Sequence, residues 1–454
     1  MVRAGTVADR KPADDARGAI GHNHRRCVGA DGTELRSAHP KLRKNSGCPQ
    51  AQDVPVQHAK PSLAVESERT DPRHLRALQG KASLAHRLSH VRDVREASRS
   101  GRLSRIGLPM ARVAVDLLGG DEGAPVVADA IAGVLAGDTD GCAADSNPPP
   151  IQICVVGPHD LARELLAERS IDVDAHGDIT IAHAQESVPM SSSSHDTLDM
   201  LRERQDLSSL VGVEEVRSGR ADAFVSIGHT GATVGASAFG LGRVRGMGRP
   251  GLAVELPATQ GPVILLDCGA APHATAEDLV RFAAVGASYA RIVGIDSPRI
   301  GLLSIGGERG KGDHLRKQTD IRLAEDFAAE YVGAVEGHDL MGQARADVIV
   351  VDGFTGNVAL KSMEGALRWS VGAMGTAYGS IEPAREVLRS THLLSGASLL
   401  GVDGNIVVGH GASRADEIHG CILRAAMLHE GSIVESVRAS VSGFPELNAR
   451  GELA

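Results

Sequence analysis

From Met110 onward one local pattern repeats: a short apolar run, a glycine turn, then a stretch with helical periodicity. Ala111-Arg112-Val113-Ala114-Val115-Asp116 opens it, Gly119-Gly120-Asp121 turns it, and Pro125–Leu135 continues it as a helix. The same reading places strands at Ile151–Val156, Asp178–Ala182, Ala223–Ile227, Gly251–Leu256, Pro262–Cys268, Arg299–Ile305, Val348–Val351 and Ile406–Val408. Helices fall at His159–Glu168, Ala232–Leu241, Ala276–Ile292, Ile321–Glu330, Asn357–Tyr378 and Ser413–Ser432, with Thr197–Ser218 helical, whole or interrupted. Short apolar strands alternating with helices predict an α/β protein with a largely parallel sheet. In such sheets the chemistry collects beyond the carboxyl ends of the strands. Asp116, Ser226, Asp267, the loop from Gly306 to Gly312, Asp352 and His410 all stand there.

Charge divides the chain in two. Residues 1–110 carry 21 basic and 11 acidic side chains, whereas 111–454 carry 27 and 46, a net of −19. The first part has no sustained periodicity and none of the ten aromatic residues, the first of which is Phe224. Such a segment cannot bury enough apolar surface to offset its chain entropy. Residues 1–109 are therefore expected to be a disordered basic extension, with Leu75–Val94 its one helical stretch. A nucleic-acid or membrane-surface arm is one reading of it, and a transit peptide a weaker one. The favoured reading is an over-extended start, with the domain spanning 110–454. No run approaches the ~18 apolar residues of a membrane-spanning helix. The six cysteines are scattered with no CxxC pair, which speaks against a zinc module or disulfide framework and for a reducing cytoplasm.

Four short motifs suit polar or anionic ligands. Gly306, Gly310 and Gly312 surround Arg309 and Lys311 in a loop before a helix, where backbone N–H groups and the helix dipole favour a phosphate. It is not a Walker A loop, because Ile305 and Gly312 stand where that pattern requires Gly and Ser or Thr. A mobile surface turn is the plain alternative. Asp352-Gly353-Phe354-Thr355-Gly356-Asn357 precedes Lys361 and Glu364, either positioning a substrate or forming an ordinary capped turn. Ser226-Ile227-Gly228-His229-Thr230-Gly231 lacks the nucleophile-elbow spacing and fits anion or carbonyl binding. His410 is bracketed by Gly409 and Gly411 at a strand end. No His/Asp/Glu cluster has metal-ligand spacing and no G-x-G-x-x-G stands in place, so neither metal nor other cofactor is expected.

In this order the motifs resemble the bacterial phosphate acyltransferases of fatty-acid and phospholipid synthesis, the acyl-ACP:phosphate acyltransferases. The resemblance runs from about Ala111 to Phe444. Its anchors are Val115 to Asp121, Arg202 to Leu210, Gly219 to Ala223, Ser226 to Ala232, Arg249-Pro250, Asp267 to Ala270, Gly301 to Gly306 with Lys311-Gly312, Asp352 to Asn357 with Lys361 and Glu364, and Gly409 to Gly411. The chain departs from the family at His229, Ala271-Pro272-His273, Ser304 and Gly307.

The resemblance implies a three-layer α/β/α sandwich similar to isocitrate and isopropylmalate dehydrogenases, usually a homodimer. It implies transfer of an acyl group from acyl carrier protein to inorganic phosphate, the acyl phosphate then feeding a glycerol-3-phosphate acyltransferase. Lys311, Asn357, His410 and Asp267 are the expected catalytic residues. Asp116, Gly119, Gly120, Asp121, Ser226, His229, Thr230, Gly231, Gly306, Gly310, Gly312, Asp352 and Lys361 are the expected substrate and phosphate contacts. An acidic carrier needs a local basic patch, for which Arg243, Arg245 and Arg249, or Arg309, Arg316 and Lys317, are candidates. Leu367–Leu400 reads as a helical hairpin for dimerisation or peripheral membrane contact, or as plain core. The rival readings are a phosphotransacetylase-like enzyme using acyl-CoA, a decarboxylating dehydrogenase requiring NAD and a metal, a non-catalytic scaffold, and nucleic-acid binding by the basic arm.

Overall fold

Asp116 and Asp267 both end strands, yet the sheet that carries them points those strands in opposite directions. The computed structural model describes residues 110–137, 149–258, 261–342, 345–382 and 396–444, all within one compact unit. The expectations for residues 1–109 lie outside the described residues. Among those described, eleven strands form one sheet: β1 Ala111–Asp116, β2 Ile151–Gly157, β3 Ile179–His183, β4 Ala223–Ser226, β5 Gly251–Ala258, β6 Gly261–Leu266, β7 Ile300–Leu303, β8 Tyr331–Val335, β9 Val348–Val350, β10 Ala397–Leu400 and β11 Ile406–Val408. Their order is β3-β2-β1-β4-β11-β10-β5-β6-β9-β7-β8.

The pairings are parallel from β3 to β11 and again from β6 to β8. Between these blocks lie three antiparallel pairings, β11–β10, β10–β5 and β5–β6. Three reversals are an odd number, so the two parallel blocks run in opposite senses. The strand-end residues thus divide into one group after β1, β4 and β11 and another after β6, β7 and β9.

Alternate residues of each strand face opposite sides, and both sides are apolar. Val113, Val115, Val225, Ile264, Leu266 and Val350 pack on one side against α1 Ala124–Leu135, α2 His159–Ala167, α6 Ala276–Ile292, α9 Ala415–Glu430 and α10 Ile433–Val441. Ala114, Phe224, Leu252, Leu265, Ile349 and Val408 face the other side, with α3 Ser194–Glu203, α4 Ser208–Arg217 and α5 Thr230–Gly240. The result is the expected α/β/α sandwich with a largely parallel sheet. Two further helices, α7 His314–Asp326 and α8 Gly353–Tyr378, follow β7 and β9.

Several local expectations are corrected. Thr197–Ser218 takes the interrupted of its two readings, as two helices, because the chain between them goes extended to form a bridge from Leu207 to Glu186. The helix placed at Ile321–Glu330 starts earlier, at His314, where the Asp313 carboxylate accepts the Arg316 N–H. It ends at Asp326, and the following Tyr331–Val335 is the strand β8, which the sequence reading missed. The closing helix breaks at Ser432, which adopts a left-handed conformation, and resumes as α10. Leu367–Leu400 is not a helical hairpin throughout: Leu399 and Leu400 lie on β10, buried between β5 and β11. Its apolar residues there are core, as one of the two readings had it.

Phe224, the first aromatic of the chain, is fully buried on β4, its ring lying over Gly212 of α4. In a core this poor in aromatics few neighbours can refill its volume. Phe224→Ala is expected to cost about 3–5 kcal/mol, read from the urea midpoint at unchanged slope.

Candidate active site

The first group of strand ends is built on backbone contact. Gly119, after β1, sits directly on the Gly228 amide after β4, and a side chain at 119 would collide with that backbone. The Asp121 N–H donates to the Gly411 carbonyl at 2.6 Å, which ties in the turn after β11. Three glycine turns from three neighbouring strands thereby meet.

Beneath them Asp116 is buried and accepts hydrogen bonds from the Ser226 hydroxyl at 2.8 Å and the Leu118 amide at 3.1 Å. Burial pushes its carboxyl up, against the Ser226 hydrogen bond that favours the anion. Ser226 is itself buried, with its oxygen receiving the Gly228 amide at 3.2 Å and the Thr233 hydroxyl at 3.3 Å. Both were expected among the substrate contacts; in the structure they hold β1 against β4.

His229, also expected there, is engaged within the fold. Its Nδ1 accepts the Ala232 N–H at 3.2 Å, capping α5, and its Nε2 lies 3.2 Å from the Ser192 carbonyl. Both ring nitrogens are used inside the fold. Thr230 and Gly231 remain exposed on the first turn of α5, and Asp121 is exposed beside Gly411.

His410 differs from these. Its Nδ1 accepts the Ala412 N–H at 3.1 Å, which places the ring proton on Nε2. Ser413 holds its backbone, its hydroxyl oxygen receiving the His410 N–H at 3.2 Å. Partial burial lowers the imidazole pKa; the nearby cations Lys361 and Arg368 lower it further, against the opposing charges of Glu364 and Asp121. The ring is thus a neutral donor whose Nε2–H has no hydrogen-bond partner among the described residues.

The second group forms where α8 begins. Asp352 caps that helix: its Oδ1 accepts the Thr355 amide at 3.0 Å and its Oδ2 the Thr355 hydroxyl at 2.8 Å. Arg316, buried on α7, donates to Asp352 Oδ2, to Thr355 Oγ1 at 3.0 Å and to Asp313 Oδ2 at 3.1 Å. Burial raises the Asp352 carboxyl, but Thr355 and the Arg316 guanidinium outweigh it and hold the group below the usual range. Arg316 is thus a clamp between the glycine loop and α8. Its only sequence signal was membership of a basic cluster.

Asp267, expected to be catalytic, is wholly buried. Its Oδ1 accepts the amides of Leu252, Gly269 and Ala270 at 2.8, 2.9 and 3.0 Å, and its Oδ2 that of Ala271 at 2.6 Å. Burial raises its carboxyl and these four amides oppose the rise. Its role in the structure is to fold residues 268–271, which brings Gly269 against Asn357 on the first turns of α8.

The glycine loop after β7 is less of a phosphate cradle than its composition promised. The Gly307 N–H is taken by Glu336 at 3.2 Å and the Lys311 N–H by the Glu308 carbonyl at 3.2 Å. The N-terminus of α7 is already capped by Asp313. Gly310 and Gly312 have positive φ, and Gly312 packs on Arg316 and Ser304 too closely for any side chain. Gly306 is buried against the Lys311 stem, while Lys311 is exposed.

What joins the two groups is α8. Its 26 residues extend ~39 Å at the usual rise. Asn357 stands near its start, and one polar face then carries Lys361, Glu364 and Arg368 toward His410. Lys361 pairs with Glu364 at 3.0 Å, and Arg368 lies 3.7 Å from the same carboxylate. Arg368 has no partner motif in the sequence; only its helical phase relative to Lys361 and Glu364 marks it.

Asp267→Ala removes the acceptor of four buried amides. It is expected to destabilise the fold by about 3 kcal/mol or more, seen as a lowered Tm. A folded variant with unchanged Tm and abolished turnover would restore Asp267 to the chemistry.

Comparison with known proteins places this geometry. Residues 111–382 match the family model described as fatty acid synthesis protein. A phosphate acyltransferase from Thermobifida fusca is 38% identical over 352 residues, covering 73% of this chain and 91% of that protein. One from Thermus thermophilus is 34% identical over 346 residues, covering 73% of this chain and 99% of that protein. Among solved structures, a phosphotransacetylase from Streptococcus pyogenes matches with a TM-score of 0.47 at 17% identity, over 73% of this chain and 96% of that one. The chain therefore belongs to the phosphate acyltransferase family and is an acyltransferase.

Proposed function

We propose that this enzyme transfers a fatty acyl group from the thioester of an acyl carrier protein to inorganic phosphate, making acyl phosphate for phospholipid synthesis. A phosphate oxygen attacks the thioester carbonyl, the C–O bond forms and the C–S bond breaks. The sulfur leaves as a thiolate and takes its proton from solvent. The nucleophile arrives already ionised and the leaving group needs no strong acid.

One observation carries the reading. Asp116, Asp267 and Asp352 are all engaged in internal hydrogen bonds, while the exposed charged side chains of α8 are the cations Lys361 and Arg368, with the Asn357 amide exposed near its start. A wall of that kind binds anions and stabilises an oxyanion, and offers no free base among those three carboxylates. In our assignment His410 Nε2–H and Asn357 donate to the oxyanion, Lys361 lies beside them, and Lys311 anchors phosphate from the glycine loop. Asp121, Thr230 and Gly231 stand exposed on the strand-end turns after β1 and β4.

The exposed apolar side chains of α8, Trp369 at 74% and Met374 at 48%, support a homodimer or a peripheral membrane contact in the cytoplasm. Among the described residues no helix is long and apolar enough to cross a membrane. The product would pass to a glycerol-3-phosphate acyltransferase.

Phosphate-dependent thiol release from acyl-carrier and from acyl-CoA substrates tests the reaction and the carrier together. A ten-fold or larger preference in kcat/KM for the carrier substrate is expected, on the order of 1.4 kcal/mol; equal use of acyl-CoA overturns the carrier assignment. Lys311→Ala is expected to raise the KM for phosphate about ten-fold or more, and an unchanged phosphate dependence removes Lys311 from the site. The pH dependence follows from His410. Protonating Nδ1 breaks the Ala412 hydrogen bond, and the lowered pKa delays this to more acidic solution than for an ordinary imidazole. Turnover therefore holds from neutral pH downward, with an acid limb below the ordinary histidine value that vanishes in His410→Gln. The unfolded chain takes up this proton first, so the His410 contribution to stability is also lost as pH falls, not as it rises.

A further inference from the structure

The structure distinguishes between the two basic clusters that the sequence offered for an acidic partner. Arg243 donates to the Gly248 carbonyl, Arg245 is engaged within the fold, and Arg249 lies 3.7 Å from the buried Asp278. That cluster is spent internally. Arg316 of the second cluster is spent too, in its clamp on Asp313 and Asp352.

Arg309 and Lys317 are not. Both are exposed and have no ion pair among the described residues. Two more cations join them that sequence proximity did not suggest. Lys311 folds its stem over Gly306, and the Arg345 guanidinium, arriving from the segment before β9, lies against Gly307. Neither has an ion pair among the described residues. Of the acids nearby, Glu336 serves the Gly307 amide, Asp313 serves Arg316 and its helix cap, and Glu308 lies over Gly306 beside the Lys311 stem, so cations outnumber the acids of the loop. The surface is locally positive on a region whose net charge is −19.

It is also apolar at its margins. Ile305, directly after β7, is 82% exposed, and Ile321 on the outer face of α7 is 56% exposed. Lys317 and Ile321 are one turn apart on that face. The β7–β9 register, continued past Leu302 and Val350, sets Ser304 level with Asp352. The patch therefore borders the start of α8 and the proposed site.

We propose that this surface, made of Arg309, Lys317 and Arg345 with Ile305 and Ile321, is where an acidic carrier protein docks to present its acyl thioester. Charge complementarity selects the occupant: an acidic helix is repelled by most of this molecule and attracted here, and the two isoleucines supply apolar contact once it has arrived. The proposal rests on the carrier reading of the reaction.

The test is thiol release by the full chain carrying Arg309→Glu, Lys317→Glu and Arg345→Glu together, with the acyl group on the carrier protein or on pantetheine. The charge reversal is expected to raise the KM for the carrier substrate by roughly ten-fold or more, to abolish its salt dependence, and to leave kcat and pantetheine turnover within about two-fold. The proposal is overturned if the carrier KM stays unchanged while the wild-type KM is salt-dependent, or if both substrates lose equally, which marks a distorted loop. Wild type that uses the carrier no better than pantetheine refutes the carrier reading itself, and the docking face with it.

Discussion

Between β11 and β6 the sheet reverses direction, through three antiparallel pairings in succession. A uniformly parallel sheet of these strands would gather every strand-end turn along one edge. The reversal instead divides them, with Asp116, Ser226 and His410 in one block and Asp267, Asp352 and the glycine loop in the other. The polar residues of the two blocks then need a connecting element. The long helix α8 provides it, starting on the Asp352 cap and carrying Lys361, Glu364 and Arg368 to His410.

The strand-end carboxylates serve that architecture. Asp116 joins β1 to β4, Asp267 gathers three amides of one loop and the Leu252 amide of β5, and Asp352 starts α8 while gripping Arg316. A buried carboxylate is costly unless its oxygens are filled, and here they are filled by neighbours in the fold. Among the groups left facing outward are the cations Lys311, Lys361 and Arg368, the Asn357 amide and the His410 imidazole, with Asp121 and Thr230 beside them. That residue of chemistry suits an anionic nucleophile and a developing oxyanion.

Much of the fold was legible because its strands are apolar throughout and its turns are glycines. Ala276–Ile292 was read with its observed bounds, since Thr275 and Asp278 form a capping box that the local sequence carries. The misses have local causes as well. β8 was hidden because the helix before it was placed too late, its true start being set by the Asp313 cap. β10 looked like part of a long apolar helical stretch, and only its two strand neighbours make it a strand. In the site, residue types were legible but availability was not. Nothing local distinguishes His229, with both nitrogens engaged, from His410, whose Nε2–H is open.

The sequence by itself determined the α/β alternation, the positions of most strand ends and the family, because periodicity, turn chemistry and motif order are local properties. The acidic region after Met110 and the basic extension before it are likewise matters of composition. Only the tertiary structure decided which polar groups remain free. That depends on which amide, hydroxyl or guanidinium arrives from a distant segment, as Arg316 reaches Asp352 across 36 positions and Ser226 reaches Asp116 across 110. Hydrogen-bond capacity is finite, so a residue engaged by such neighbours has less left for a ligand.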